Sequence, residues 1–437
     1  MTTTRPILQM NRFDPTKGIN NADGLAVRVA RRTATAGASS VLFYEQPVEM
    51  VRGQGVHLFD VAGRRYLDAY NNVASVGHCH PRVVQAIADQ VARLNINTRY
   101  LNNVVDTYAE RLLATFPREL SNLVMTCTGS EANDLALRIA WAQTGDRGIV
   151  VTRAAYHGNT AAVTDISPSS LMKQALAPHV RAIPEPEGTK DTAFRFCRNL
   201  DAAVVSLRQA GFGFAGLVVD TIFSSDGIHA DPAGFLHPVM QAVHRHGGLF
   251  IADEVQPGFG RTGAGLWGFS RHGIVPDIVT LGKPMGNGFP MGGVVTRPEL
   301  LARFCQETGY FNTFGGNPVA AAAGLAVLDV LRDEALIENA AAVGVYLKER
   351  LGAMSDEQIG AVRGAGLFIG VDLIDNDGGP DPDLAASVVN EMKKRGVLIG
   401  VAGYYGSTLK IRPPLCLART EADLLADCLW SILQMPR

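Results

Sequence analysis

The spacing of apolar and polar residues changes rhythm twice along the chain. Residues 1–40 read as an arm with little regular structure. Between 41 and 70 short apolar runs alternate with turns: VHLFD, then Ala62-Gly63, then RRYLDAY, the pattern of a β-hairpin. From 82 to 94 (RVVQAIADQVARL) and from 106 to 116 (DTYAERLLATF) the apolar positions recur at helical spacing.

A second rhythm follows. NLVMT (122–126) predicts a strand, TGS a turn and EANDLALRIAWAQT a helix. Further strands are predicted at GIVVTR (148–153), FAGLVVD (214–220), GLFIADEV (248–255) and DIVTLGK (277–283), with LHPVMQAVHRHG as a helix between two of them. Strands separated by helices imply a mostly parallel α/β sheet, whose ligands sit at the carboxyl ends of the strands. Asp220, Asp253 and Lys283 fall at such ends.

After residue 318 the rhythm changes again. A long helical pattern, PVAAAAGLAVLDVLRDEAL, leads into VGVYLKERLGAM. Strands GLFIGVDLI (366–374), GVLIGV (396–401) and LKIRPPL (409–415), a helix near 383–395 and a closing helix (TEADLLADCLWSILQM) make a separate α+β segment. Pairing of that segment with the N-terminal hairpin would build a second domain from both ends of the chain.

Composition narrows the function classes. The 437 residues are 47% hydrophobic and 19% charged, enough for a sizeable core. Forty basic residues against 42 acidic ones leave a formal net charge of −2, which gives no support for nucleic-acid binding through a global positive field. Six cysteines at wide, irregular spacing, none in a CxxC pair, favour reduced thiols over a disulfide framework or a zinc site. The opening MTTTRPILQMNRFDPTKG has no apolar signal region, and the longest apolar stretch, Val319 to Leu328, is too short to span a bilayer. A soluble cytoplasmic protein, without a membrane or nucleic-acid partner, is the expectation. Glycine stands out: 46 of 437 residues, about a tenth against a usual ~7%, suggest many tight turns and close backbone approaches.

Five short motifs carry candidate chemistry. Thr128-Gly129-Ser130 lies between a strand and a helix, where free N–H groups and the dipole suit a phosphate; the same residues also make an ordinary helix cap. Asp253-Glu254 ends an apolar strand and could bind a cationic ligand atom or cap a helix. Lys283, among glycines and before Pro284, suits Schiff-base chemistry, though an exposed lysine is commoner. Tyr156 in Tyr156-His157-Gly158 could stack on a flat cofactor or pack in the core. Arg412, followed by two prolines, suits a carboxylate or phosphate, or a structural ion pair. His78-Cys79-His80 does not suggest a metal, because adjacent residues converge poorly on one ion.

Together and in order, GSEAND, AYHG, ADEVQPGFGRTG, TLGKPMGNG and FNTFGGNP resemble the class III aminotransferases, pyridoxal-phosphate enzymes of fold type I. The resemblance runs from about residue 41 to 433. It implies a large domain (71–325) with a mostly parallel seven-stranded sheet, and a smaller α+β domain made of an N-terminal arm and hairpin (1–70) and a C-terminal part (326–437). By resemblance Lys283 would hold pyridoxal phosphate as a Schiff base and move the substrate proton, and Asp253 would keep the pyridine nitrogen protonated. Gly129 and Ser130 would cup the phosphate, Tyr156 and Val255 would flank the ring, and Gln256 would approach its phenolic oxygen. Thr313 would complete the phosphate cup of a neighbouring subunit, so the resemblance implies a homodimer or a tetramer. Arg412 would bind a substrate carboxylate. Many relatives pair it with a glutamate near the position of Asp220, where this acid is one methylene shorter. Tyr44 and the stretch from Tyr70 to Val73, Asn72 included, fall where relatives line the substrate pocket.

Local wording is closer still to one branch. NNVASVGHCHP, NTRYLNN, GSEANDLALR and TDISP resemble the phospholyases of this family, which eliminate ammonia and phosphate from phosphoethanolamine or phosphohydroxylysine. Two departures, AYHGNT for AYHGHT and the arginine of IRPP, favour an aminotransferase moving an amino group from an ω-amine or ω-amino acid to an oxo acid such as pyruvate. Phospholyase chemistry is the alternative.

Overall fold

A computed structural model of the protein describes residues 5–19 and 24–435; the remaining positions, parts of the expected N-terminal arm among them, lie outside the described residues. At its centre is a seven-stranded sheet. Its order is Asn122–Thr126, Gly292–Thr296, Ile278–Leu281, Leu249–Asp253, Gly216–Val219, Ile149–Thr152 and Val180–Ile183. Only Gly292–Thr296 runs against its neighbours; the other pairings are parallel. The seven-stranded, mostly parallel sheet expected from the resemblance is present.

The period-two alternation of side chains sorts this sheet into two cores. Val151, Val218, Ile251, Ile278 and Val294 pack on one face with the helix Gly129–Thr144. Val150, Leu217, Phe250, Val279 and Val295 pack on the other, against Leu200, Val204 and Leu207 of Thr192–Gln209 and Val239 and Val243 of Leu236–Arg245. With both faces covered, the strands read as continuous apolar runs, which made them legible. Two strands escaped that reading. Val180–Ile183 is an edge strand interrupted by Arg181, and Gly292–Thr296 (GGVVT) starts on two glycines after a turn-rich run.

Both ends of the chain meet in a second sheet. Met50–Gln54, His57–Asp60 and Arg65–Asp68 form an antiparallel meander, and Val397–Leu398 joins its edge in parallel to Arg65–Asp68. A third sheet, Ile359–Ala365, Phe368–Leu373, Thr408–Ile411 and Gly400–Ala402, is antiparallel throughout. The run GVLIGV, expected as one strand, therefore divides at Ile399 between two sheets, and the Ile399 carbonyl accepts the Tyr44 hydroxyl at 3.2 Å.

The arm also differs from expectation. Leu25–Ala36 (LAVRVARRTATA) is an α-helix between Gly24 and Gly37. Its Leu, Ala and Arg are good helix formers, and Val29 is its buried residue. The basic, alanine-rich composition that reads as irregular chain is that of an amphipathic surface helix. The long pattern after 318 is likewise two helices, Pro318–Asp333 and Leu336–Gly352, broken at Ala335, whose φ is +50°.

One contact fixes how the second of those helices packs. A Cβ on Gly344 would lie 2.2 Å from the Gly366 carbonyl oxygen, so helix and hairpin touch backbone to backbone. Alanine normally stabilises a helix interior by up to ~1 kcal/mol relative to glycine. Here overpacking, typically ~1–3 kcal/mol, opposes it. Gly344→Ala is expected to lower the melting temperature; an unchanged or raised midpoint would show that the hairpin moves freely.

Candidate active site

The carboxyl ends of the central strands bring the predicted residues together. Asp253 is the last residue of Leu249–Asp253 and is buried. One carboxylate oxygen accepts the Val255 amide at 3.0 Å. The other lies 2.7 Å from His157 Nδ1 and accepts Asn133 Nδ2 at 3.0 Å. Asn133 also donates to the His157 carbonyl and accepts from Thr280 Oγ1, so three elements fix one carboxylate. Neither Asn133 nor His157 stood out in the sequence as a support of Asp253; the contact spans 120 and 96 residues of chain.

Lys283 follows the strand Ile278–Leu281 and opens a short 3₁₀ turn, Lys283–Gly286. Its amine has no hydrogen-bond or ion-pair partner among the described residues. Burial pushes its pKa below that of an ordinary lysine, with the Asp253 charge opposing. A larger share of neutral amine at neutral pH is what a nucleophile or base requires.

The anion end of the site is the start of the helix Gly129–Thr144. Thr128, rather than Ser130, caps it: its hydroxyl accepts the Glu131 amide at 3.1 Å. Glu131 in turn accepts the Cys127 amide at 2.7 Å. No hydrogen bond among the described residues uses the amides of Gly129 and Ser130, which line the cavity. A Cβ on Gly129 would lie 2.8 Å from Val255 Cγ2, so the side chain of Val255 is seated directly on this turn. The cavity measures about 290 Å³, and its wall includes Tyr156, Asp220, Asp253, Val255, Gln256 and Lys283.

A second cavity of about 190 Å³ shares Tyr156, Gln256 and Lys283 with the first. Two cations, Lys410 and Arg412, stand in its wall, on one face of the chain because they are two residues apart in extended structure. Arg412 donates from Nη1 to Gln256 Oε1, and its guanidinium lies 4.6 Å over the Tyr70 ring. Arg412 Nε is buried without a partner among the described residues. Lys410 has no hydrogen-bond or ion-pair partner among the described residues. Burial, then the neighbouring Arg412 guanidinium, drives its pKa well below the usual value, with Asp220 opposing. The rest of the wall includes Ile7, Met10, Asn11 and Phe43 from the N-terminal segment.

The other predicted residues fall as follows. Gln256 is a hub: its Nε2 donates to Ser224 Oγ at 2.6 Å and its Oε1 takes Arg412 and, at 3.5 Å, Asn72 Nδ2. Asp220 does not pair with Arg412. It accepts the Ile222 and Ser224 amides at 3.0 and 3.1 Å, and Gln256 takes the arginine instead. Tyr44 is not in the wall of either cavity; its hydroxyl is directed at Ile399, and its neighbour Phe43 takes the wall position. Thr313 is exposed and outside its own chain's cavities. His78 and His80 turn to different acids, Asp68 and Glu334. Lys410, Asn11 and Met10 were not singled out. Lys410 shares the motif LKIRPPL with Arg412, and strand periodicity is the signal that could have found it.

The comparisons with known proteins agree on the family. A family model described as aminotransferase class-III matches residues 42–433. An Arabidopsis thaliana protein named alanine–glyoxylate aminotransferase 2 homolog 2, mitochondrial, is 41% identical over 92% of this chain and 86% of its own length. A Caenorhabditis elegans protein named ethanolamine-phosphate phospho-lyase homolog 1 is 37% identical over 88% of each. Among solved structures, a phospholyase from Arthrobacter in complex with phosphoethanolamine is 45% identical with a TM-score of 0.90, covering 94% of this chain and 100% of that one.

This family's cofactor is pyridoxal phosphate, and the residues present fit it. The unpartnered amine of Lys283 suits its aldehyde, the rigid carboxylate of Asp253 its ring nitrogen and the amides of Gly129 and Ser130 its phosphate. Tyr156 and Val255 form the walls of the same cavity.

Two predictions follow from the electrostatics. Asp253→Asn keeps the shape but loses the charge, and kcat is expected to fall at least about 100-fold; activity within a few-fold of wild type would remove Asp253 from the chemistry. Asp226, buried beside this site, accepts from Thr152 Oγ1 at 2.7 Å and the Ala154 amide at 2.9 Å. Burial pushes its pKa from 3.8 up to about 7, with those two bonds opposing. A raised carboxyl pKa means that the folded state holds the proton longer, so its contribution to stability falls as pH rises through that window and is flat above it. Asp226→Asn can accept the Ala154 amide through Oδ1 and donate from Nδ2 to the Thr152 hydroxyl, and it lacks the slope. Its melting temperature relative to wild type should rise between about pH 4 and pH 7, by an amount corresponding to at most about 4 kcal/mol; a pH-independent difference would contradict the assignment.

Proposed function

This chain belongs to the class III aminotransferase family, and we propose that within it the enzyme eliminates ammonia and phosphate from a small phosphorylated amine of the phosphoethanolamine type. The observation that carries this reading is the pair Lys410 and Arg412, two buried cations with no carboxylate partner among the described residues, in a cavity wall shared with Lys283. A phosphate dianion would hold both side chains protonated and answer both, whereas a carboxylate answers one. This reverses the order of preference that AYHGNT and IRPP give in the sequence, because the lysine of the pair was not weighed there. Likeness to the Arthrobacter phospholyase supports the same side.

When bound, pyridoxal phosphate supplies an electron sink for the carbanion formed at the amine-bearing carbon. Asp253, held by His157, Asn133 and the Val255 amide, keeps a proton on the ring nitrogen. Lys283, with its lowered pKa, takes the proton from the amine-bearing carbon. Lys410 and Arg412 hold the phosphate at the far end of the substrate and stabilise the charge it carries away with the C–O electron pair. Arg412 has a fixed resting partner in Gln256 Oε1. For phosphoethanolamine one water is consumed and acetaldehyde, ammonia and orthophosphate are formed.

The second reading is amine transfer from an ω-amine or ω-amino acid to an oxo acid such as pyruvate. Arg412 alone would serve a carboxylate, and curated relatives such as the Arabidopsis protein carry aminotransferase names. For assembly we propose a homodimer. Thr313 is exposed beside Phe314, which is 71% exposed, and Leu101, 98% exposed, neighbours Tyr100 on the adjoining segment. Arg99 stacks at 4.3 Å on Phe311, tying the two segments into one apolar patch that a second copy would cover, with Thr313 reaching that copy's phosphate cup.

Phosphorus and proton NMR of the holoenzyme with phosphoethanolamine and pyruvate, reading orthophosphate and alanine respectively, separate the two readings. Orthophosphate should accumulate without alanine, and Lys410→Met should raise the KM for phosphoethanolamine about 10–100-fold. Alanine formation without orthophosphate would overturn the proposal in favour of transfer.

A further inference from the structure

Arg261 is fully buried, at 1% exposure, and has no carboxylate within ion-pair distance among the described residues. An unpaired guanidinium in the interior is costly and is held only by satisfied hydrogen bonds. Both bonds recorded for it come from Nη1 and go to backbone carbonyls, those of Leu367 at 3.1 Å and of Pro413. Nη2 has no partner. Leu367 returns the contact, its amide donating to the Arg261 carbonyl at 3.1 Å. Pro413 directly follows Arg412 in the chain. Arg261 itself sits eight residues after Asp253, on the loop that also supplies Val255 and Gln256.

That loop therefore holds Arg412 and the residue that follows it. Gln256 takes the guanidinium tip, and Arg261 takes the carbonyl of the next residue. The Arg412 amide is fixed separately, on the Ala69 carbonyl at 2.8 Å. We propose that Arg261 is a positioning residue for the substrate's anionic group: it pins the Pro413–Pro414 peptide, one step after Arg412, to the loop that carries the cofactor residues, and so sets the distance between the anion site and Lys283. The inference rests on the reading that Arg412 and Lys410 receive that anion.

The test uses the holoenzymes of wild type, Arg261→Met, Arg261→Lys and Arg412→Met. Four quantities are measured: KM and kcat for phosphoethanolamine, the inhibition constant of inorganic phosphate, and the dissociation constant of 1-propylamine read from the cofactor absorption. For Arg261→Met, KM and the phosphate constant should each rise about tenfold, with kcat and propylamine binding within about twofold of wild type. Arg261→Lys, which keeps the charge and can reach one carbonyl, should recover part of the loss. An unchanged KM and phosphate constant would overturn the inference. So would an equal loss on propylamine, a fall in kcat alone, or failure of both Arg261 variants to yield folded holoenzyme, since each assigns Arg261 to general stability. If Arg412→Met leaves phosphate binding untouched, the anion-site reading itself fails; if it weakens binding while the Arg261 variants do not, the reading stands and this inference falls.

Discussion

Basic side chains held out of water at the carboxyl edge of a parallel sheet are the constraint around which this molecule is arranged. Lys283, Lys410 and Arg412 converge there, and burial, which disfavours the charged form, is the leading influence on all three. The acids nearby do not neutralise them as simple ion pairs. Asp253 is engaged by His157, Asn133 and Val255, and Asp220 by two backbone amides. The remaining positive potential is the physical basis for anion recognition, and it needs a closed site to persist. Water admitted to the cavity would screen it.

Closure explains the chain's topology. The central sheet supplies Asp253 and Lys283 from adjacent strands, which pair in parallel at Asp253 and Thr280. The anion side comes from elsewhere: Thr408–Ile411 leads to Arg412 from the C-terminal sheet, and the segment at residues 7–11 closes over it from the other end of the chain. Parallel pairing of Val397–Leu398 with Arg65–Asp68 locks those two ends together. A site built on strand ends and closed by distant segments keeps rigid chemistry in its centre and places recognition at its margin.

Much of this was legible in the sequence because the local signals agreed. Strands buried on both faces read as apolar runs, the glycine-bounded lysine and the acid-ending strand marked the chemistry, and the motif order resembled one family. What escaped has physical reasons. Leu25–Ala36 buries only Val29, so its apolar face is too thin to stand out by periodicity. Asn133 and His157 support Asp253 through contacts that exist only once distant strands are adjacent. The same holds for Asp220, whose shorter side chain turns to its own loop amides and leaves Arg412 to Gln256. Lys410 is the instructive miss: a lysine two residues before an arginine in an extended run must share its face, yet the pair means an anion site only when its burial and the lack of a paired carboxylate among the described residues are known.

The central claim is that two buried, unpaired cations form a site for a dianion. Isothermal titration of the holoenzyme with inorganic phosphate and, separately, with acetate measures this without turnover. The account predicts that phosphate binds at least about tenfold more tightly than acetate, and that Lys410→Met brings the two together by weakening phosphate alone. Equal affinities in the wild-type enzyme, or a phosphate preference that survives loss of Lys410, would contradict it.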